Sequence, residues 1–283
     1  MQEHHLLILG AGWTATFLIP LLRTRKLSFA ATTRDGRKVA EAETIKWSFD
    51  SEGDSAQFSE LPLAKTVLIT FPLNGKGQSQ LLVSGYSHAH KGKDVRFIQL
   101  GSTGIWQIEQ KSHWVDRHSP YNTSNARAIA EDELLSLGGS VLNVAGLWGG
   151  ARDPKNWVSR VAKTKDDVWG KKSLHMVHGQ DVARAILAVT QSWADAKGQR
   201  WMLTDGFVYD WWALMAGWAD VKQESSTGGN GDQEPSNFAK WVYELMDEKD
   251  VKALPRSMET LGRCYDSREF WRVFGLTPLK ARI

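Results

Sequence analysis

Leu6-Leu-Ile-Leu9-Gly10-Ala-Gly12-Trp-Thr-Ala15 is the stretch that decides the fold. Four uninterrupted apolar residues run straight into a G-x-G-x-x-A turn, and a segment of helical periodicity follows, with Phe17, Leu18, Leu21 and Leu22 on one face. Each small residue has a task. Gly10 permits the tight strand-to-helix turn, Gly12 lets the backbone approach a pyrophosphate, and Ala15 lets the helix pack closely on the strand. The anion then rests on the helix N-terminus, where free N–H groups and the helix dipole favour negative charge. Glycine-rich turns also arise for purely structural reasons. The strand before this one and the helix after it point to a dinucleotide site with Trp13 inside the turn.

Outward from that turn, short apolar runs at 28–32, 44–49, 66–70, 95–100 and 140–144 read as further strands. The run at 66–70 is continuously apolar or β-branched, as expected for a strand buried on both faces of a parallel sheet. Helix-compatible stretches separate the strands, including 124–137, which stops at Gly138-Gly139. Strand and helix in alternation imply right-handed crossovers and a doubly wound parallel α/β sheet. Pro20 should bend the first helix. Residues 1–150 are expected to form the nucleotide-binding domain. Residues 151–283 are expected to form a smaller substrate-covering region, with 174–205 returning to the sheet. Asp181 is a plausible N-cap for a helix over 181–193. The polar run 223–236 has little to bury and is expected to be a mobile loop.

The end of the second strand selects the nucleotide. An acidic residue there suits the ribose 2′-OH of NAD, whereas Arg suits the 2′-phosphate of NADP. Here Thr32-Thr33-Arg34 is followed by Arg37 and Lys38, which favours NADP(H). In the alternative, Arg34 is a solvated cation and Asp35 takes the ribose role. Phe71 and Pro72, after the strand at 66–70, are expected to line the cofactor cleft.

Several segments, in order, resemble the extended and atypical short-chain dehydrogenase/reductases, in particular their nucleoside-diphosphate-sugar epimerase-like branch. They are Thr32-Thr-Arg34, Phe97-Ile-Gln-Leu-Gly-Ser102-Thr-Gly-Ile-Trp106, Val141-Leu-Asn-Val-Ala-Gly-Leu-Trp-Gly149 and His178-Gly-Gln-Asp181-Val-Ala-Arg-Ala-Ile186. The resemblance covers roughly residues 5 to 205 and implies a Rossmann fold. It places Ser102 as the serine that polarises a carbonyl or carbinol oxygen. The other reading of Ser102 is a strand-terminal residue capping its own turn. By the same resemblance Trp106, Trp148, Arg152 and His178 approach substrate, with Arg152 able to hold an anionic or polar group. For His178 and Asp181 a structural cap is the preferred reading.

That family's chemistry rests on Tyr-x-x-x-Lys, in which the ammonium one helical turn away lowers the phenol pKa. This chain reads Ser119-Pro-Tyr121-Asn-Thr123-Ser-Asn125-Ala-Arg127-Ala-Ile-Ala-Glu131. One register pairs Tyr121 with Asn125. The preferred register pairs Thr123 with Arg127 and keeps Glu131 four residues further on. Neither preserves the dyad, because a threonine hydroxyl is too weak an acid and arginine is permanently charged. Arg127 remains available to bind ribose or phosphate, and Tyr121, His118 or His113 are alternative proton sources. The expected activity is an NADP(H)-dependent oxidoreductase or epimerase-like reaction on a small, aromatic or sugar-like molecule. The alternative is a catalytically silent NADP(H)-binding sensor or interaction protein.

Composition narrows the remaining classes. The 283 residues carry 35 Lys+Arg against 32 Asp+Glu, with no long basic block to suit nucleic acid. No apolar run approaches a membrane span, and the opening residues lack a signal-peptide pattern, so no membrane partner and a cytoplasmic location are expected. The single cysteine, Cys264, excludes an intramolecular disulfide. His88-Ala-His90 lacks a third ligand at a convincing spacing, so no metal is expected. Fourteen tryptophans are the outlier. Trp13, Trp106, Trp148, Trp114 and Trp157 are expected near the cleft as aromatic walls, and Trp211, Trp212, Trp218 and Trp241 in the C-terminal core.

Overall fold

A computed structural model describes residues 3–109, 113–220 and 235–283. Most of the expected loop at 223–236 lies outside those residues. The chain opens with β1 (His4–Leu9), α1 (Trp13–Thr24), β2 (Phe29–Thr33), β3 (Ile45–Lys46), β4 (Ala64–Ile69), α2 (Gln78–Ala89), β5 (Arg96–Ser102) and α3 (Ala126–Ser136). Strands Ser140–Val144 and Arg200–Leu203 complete a seven-stranded sheet. Its order is β3-β2-β1-β4-β5, then Ser140–Val144, then Arg200–Leu203, with every pairing parallel. Chain direction reverses its march at β1 and β4, which opens a crevice at the carboxyl ends of those two strands.

Both faces of the sheet are covered, which is why its central strands are apolar without alternation. Leu6 and Ile8 face α1 and the helix Gly179–Gln191. Leu7 and Leu9 face α2 and α3. The helix Arg268–Val273 joins the first face through Phe270 and Trp271, beside Trp201 of the edge strand. α1 runs unbroken past Pro20 to Thr24, because Pro20 lies on the exposed face, where water can satisfy the carbonyl left without a partner.

Two local expectations are corrected. Only Ile45 and Lys46 of the run 44–49 join the sheet, and the aromatics Trp47 and Phe49 leave it to pack on Phe58 and Phe71. Helix Gly179–Gln191 is capped by His178, whose Nδ1 accepts from the Gln180 N–H at 3.1 Å. Asp181 lies inside that helix, fully buried. Its carboxylate accepts from the backbone N–H groups of Leu279 and Lys280 and pairs with Arg184, so it anchors the C-terminal segment.

A separate apolar cluster joins Trp211, Trp212, Trp218, Phe238 and Val242, with Trp241 against it. Asp210 and Arg256 form a buried ion pair of 2.6 Å at its edge, and the Arg256 guanidinium stacks on Trp212. Two-residue strands dock this region onto the sheet domain, among them Cys264–Tyr265 beside Trp114–Val115. Among the described residues no helix is long and apolar enough to cross a membrane.

His175 secures that docking. Its ring is buried against Tyr265 and its Nε2 accepts from the Tyr265 N–H at 3.0 Å. Burial, with Arg263 nearby, lowers its pKa from 6.5 to about 3. Between those values the unfolded chain binds the extra proton and the folded chain does not, so stability is complete above the upper value and falls as pH falls. Urea midpoints measured from neutral pH down to about pH 5 should therefore drop, and His175→Asn should flatten that slope. Parallel slopes for the two proteins would remove His175 from the account.

Candidate functional site

The crevice between the carboxyl ends of β1 and β4 is a cleft of about 840 Å³. The turn 10–12 forms its floor. Gly10 has φ +82°, and a Cβ there would fall 2.9 Å from Thr70 Oγ1 and 3.0 Å from the Phe71 ring. Gly12 has only the Gly10 carbonyl near its missing Cβ, at 3.8 Å, so any side chain there would fill the cradle itself. Ala15 is fully buried beneath, inside the contact between α1 and the sheet. These residues fit a bound pyrophosphate at the start of α1.

At the β2 end, Thr33, Arg34 and Arg37 line the cleft, joined by Trp47, Phe49 and Phe71. The Thr33 hydroxyl bonds Thr44 and accepts from the Gly36 N–H, which sets the turn that presents Arg34. Asp35 does not line the cleft; Arg37 grips its carboxylate at 3.0 Å. Pro72 and Asn74 continue the wall after β4.

At the other end lie Ser102, Arg127, Leu147 and Arg152. Ser102 ends β5, and its Oγ accepts from the Gly104 N–H at 3.1 Å. Both readings of this serine therefore meet in one residue: the oxygen caps a turn, and the hydroxyl proton remains to be donated into the cleft. Arg127 sits in the first turn of α3, which Asn125 caps. Its Nε is buried without a hydrogen-bond partner. One turn on, Glu131 is fully buried. It accepts from Asn143 Nδ2 at 2.8 Å, Arg200 at 3.2 Å and the Ser102 N–H at 3.3 Å. Burial raises the Glu131 pKa against the opposing pull of Asn143, Arg200, Arg127 and the Ser102 amide. This carboxylate braces both Ser102 and the base of the Arg127 helix.

The other expected site residues lie elsewhere. Tyr121 is outside the cleft lining. Its hydroxyl donates to Asp132 at 2.8 Å and its ring lies 4.4 Å from the Arg200 guanidinium. Burial and the Asp132 hydrogen bond both raise its pKa, opposite to the shift an active phenol requires. Thr123 is exposed and also outside the lining. Trp106 is fully buried, edge-on to Tyr121 and Tyr265, with its N–H bonded to the Ser119 carbonyl. Trp148 and His178 pack edge-on together beside the cleft without lining it. The aromatic wall consists instead of Trp13, Trp47, Phe49 and Phe71. Trp47 and Phe49 were legible only as strand residues, and nothing in their spacing announced that the strand would end before them.

No protein-family model and no curated protein matches the sequence. Solved structures do. A functionally unknown conserved protein from Silicibacter pomeroyi DSS has a TM-score of 0.64 at 18% identity, over 99% of this chain and 95% of that one. A short-chain dehydrogenase/reductase superfamily protein from Agrobacterium tumefaciens with bound NAD gives 0.58 at 12% identity, over 98% and 93%. Gre2 from Candida albicans, in complex with NADPH, gives 0.59 at 12% identity, over 98% and 95%. These likenesses establish the fold, an extended short-chain dehydrogenase/reductase type of Rossmann sheet.

Tyr121→Phe tests the placement of the phenol. Loss of its bond to Asp132 should cost about 1 kcal/mol of stability, while the affinity of the cleft for a dinucleotide stays unchanged. A variant of normal stability with weakened binding would put the hydroxyl in the cleft after all.

Proposed function

We propose that the chain binds NADP(H) in the cleft and acts as an oxidoreductase or epimerase-like enzyme on a small organic substrate. The observation that carries the cofactor is the β2 end: Arg34 and Arg37 line the cleft, whereas Asp35, the residue that would serve a ribose 2′-OH, is turned to Arg37. A 2′-phosphate offers those guanidinium groups the oxyanion they are shaped to grip. The glycine turn, with its cradle at Gly12, suits the pyrophosphate, and structures with bound NAD or NADPH share the fold.

When bound, the nicotinamide supplies the hydride donor or acceptor. The chain contributes the Ser102 hydroxyl as a hydrogen-bond donor to a carbonyl or carbinol oxygen, and Arg127 as a fixed positive charge where negative charge develops. Glu131 and Asn143 hold the strand end that carries Ser102. Proton transfer is the unusual part. Every described side chain lining the cleft is apolar, hydroxyl, amide or arginine, with no Tyr, His, Lys, Cys, Asp or Glu among them. The proton exchanged at the substrate oxygen then comes through Ser102 from solvent. That same inventory favours the second reading, an NADP(H)-binding sensor without turnover.

NADPH and NADH titrations of the wild type and Arg34→Ala decide the cofactor. Arg34→Ala should weaken NADPH by about tenfold or more and NADH little, since one charge-assisted contact is worth roughly 1.5–3 kcal/mol. Equal losses for both would refute the phosphate assignment, and failure of either dinucleotide to bind would sink both readings. Quenching of tryptophan emission on saturation should depend on Trp13 and Trp47 and survive Trp106→Phe. A carbonyl-substrate panel then separates enzyme from sensor: turnover abolished by Ser102→Ala marks the first, and binding without turnover the second.

A further inference from the structure

Arg127 and Arg152, like Arg34, differ from several other arginines of the chain in what they lack. Arg37 has Asp35, Arg200 has Glu131 and Asp132, and Arg256 has Asp210. Among the described residues neither Arg127 nor Arg152 forms a contact ion pair with a carboxylate, Arg127 feeling only the coulombic pull of Glu131 one turn on, although both line the cleft end away from Arg34. The Arg127 Nε is buried with nothing to accept its proton; the Arg152 side chain is exposed, and partial desolvation by its neighbours lowers its pKa. A donor stripped of water and left unpaired is a cost that a ligand acceptor removes.

Arg152 is held in place by a built clamp. Gly149 and Arg152 exchange backbone hydrogen bonds of 2.9 and 3.1 Å across a tight turn. Gly149 and Gly150 both have positive φ there, and a Cβ on Gly149 would fall 2.2 Å from His178 Nε2. The Trp13 indole N–H donates to the Gly149 carbonyl at 2.9 Å, and the Arg152 guanidinium lies 4.5 Å from the Trp13 ring centre. On its far side Arg152 borders a second cavity of about 310 Å³, walled by Trp148, Pro154, Lys155, Trp218 and Arg282. Asp153, the carboxylate side chain bordering it, is engaged in capping the turn through the Lys155 N–H at 3.0 Å.

We infer that the molecule sharing the cleft with the dinucleotide is a small organic anion, a carboxylate or phosphate monoester, with its charged group on Arg152 in the space Arg127 also lines and its apolar body in the side cavity against Trp148 and Trp218. The planar guanidinium fork matches either oxyanion in a two-point grip. The indole walls suit a flat or branched hydrocarbon body. This substrate class rests on reading the main cleft as the dinucleotide site.

Calorimetric titration of the NADPH-saturated protein with phenylacetate, phenyl phosphate and neutral phenylacetamide tests it. One or both anions should bind about tenfold or more tighter than the amide, and the stronger of the two identifies the anion. Arg152→Gln should bring the anion and amide within about twofold while leaving NADPH affinity within about threefold of wild type. Arg127→Gln should also reduce the preference, and Arg127→Lys should restore part of it. Equal binding of anion and amide, a preference that survives Arg152→Gln, or no anion binding by a protein that binds NADPH would each overturn the inference. If NADPH itself does not bind, the dinucleotide reading fails, and the anion preference is still read on the free protein.

Discussion

The turn between β1 and α1 is the constraint on which the other parts depend, and two threonines hold it. The Gly10 N–H donates to Thr32 Oγ1 at 3.0 Å, and the Thr70 hydroxyl donates to the Gly10 carbonyl. Thr32 comes from β2 and Thr70 follows β4, the two strands flanking β1. The Ala11 N–H adds a bond of 2.6 Å to the Thr32 carbonyl. The backbone groups of a left-handed glycine are thus satisfied by the strands on either side of the switch point. The free N–H groups of α1 are left to face the cleft. A change in the register of β2 or β4 would unseat the turn before it affected any charged residue.

The same economy appears where the Tyr-x-x-x-Lys dyad of the resembling family has no counterpart. Arg127 stands one helical turn from Glu131 in the preferred register, and Glu131 is committed to Asn143, Arg200 and the Ser102 amide. Gly101 is required for that junction, since a Cβ there would lie 2.5 Å from both Asn143 Nδ2 and Glu131 Oε1. Tyr121 and Asp132 extend the network away from the cleft through Arg200. Tyr121, in the loop ahead of α3, is tied to Asp132 and Arg200 outside the cleft, and the permanently charged Arg127 guanidinium on α3 faces it. Such a site favours stabilising negative charge over relaying protons.

The sheet was legible because its strands are buried on both faces and their apolar runs need no alternation to be recognised. The glycine turn was legible because each small residue answers a steric demand of the chain itself. Trp47 and Phe49 were not, because only the aromatic packing of Phe58 and Phe71 decides that β3 ends at Lys46. Asp181 had the composition of a cap and became an interior anchor, because the backbone N–H groups of Leu279 and Lys280, nearly a hundred residues away, need its carboxylate. His178, of the two residues read as a structural cap at this helix start, is the one that caps, through a ring nitrogen. Trp106 and Trp148 kept their places in the resembling segments, but a position at a strand end does not say which way an indole turns.

Trp13 joins the two halves of the site. It belongs to the glycine turn on the cleft floor, yet its N–H is bonded to the Gly149 carbonyl and its face supports Arg152. Phe17, one turn along α1, packs edge-on to both Trp13 and His178 and leaves no room for a Cβ on Gly179, which would fall 2.3 Å from its ring. The glycine turn on the cleft floor and the loop that faces the second cavity therefore share one aromatic stack, so that a substitution at Trp13 disturbs both at once.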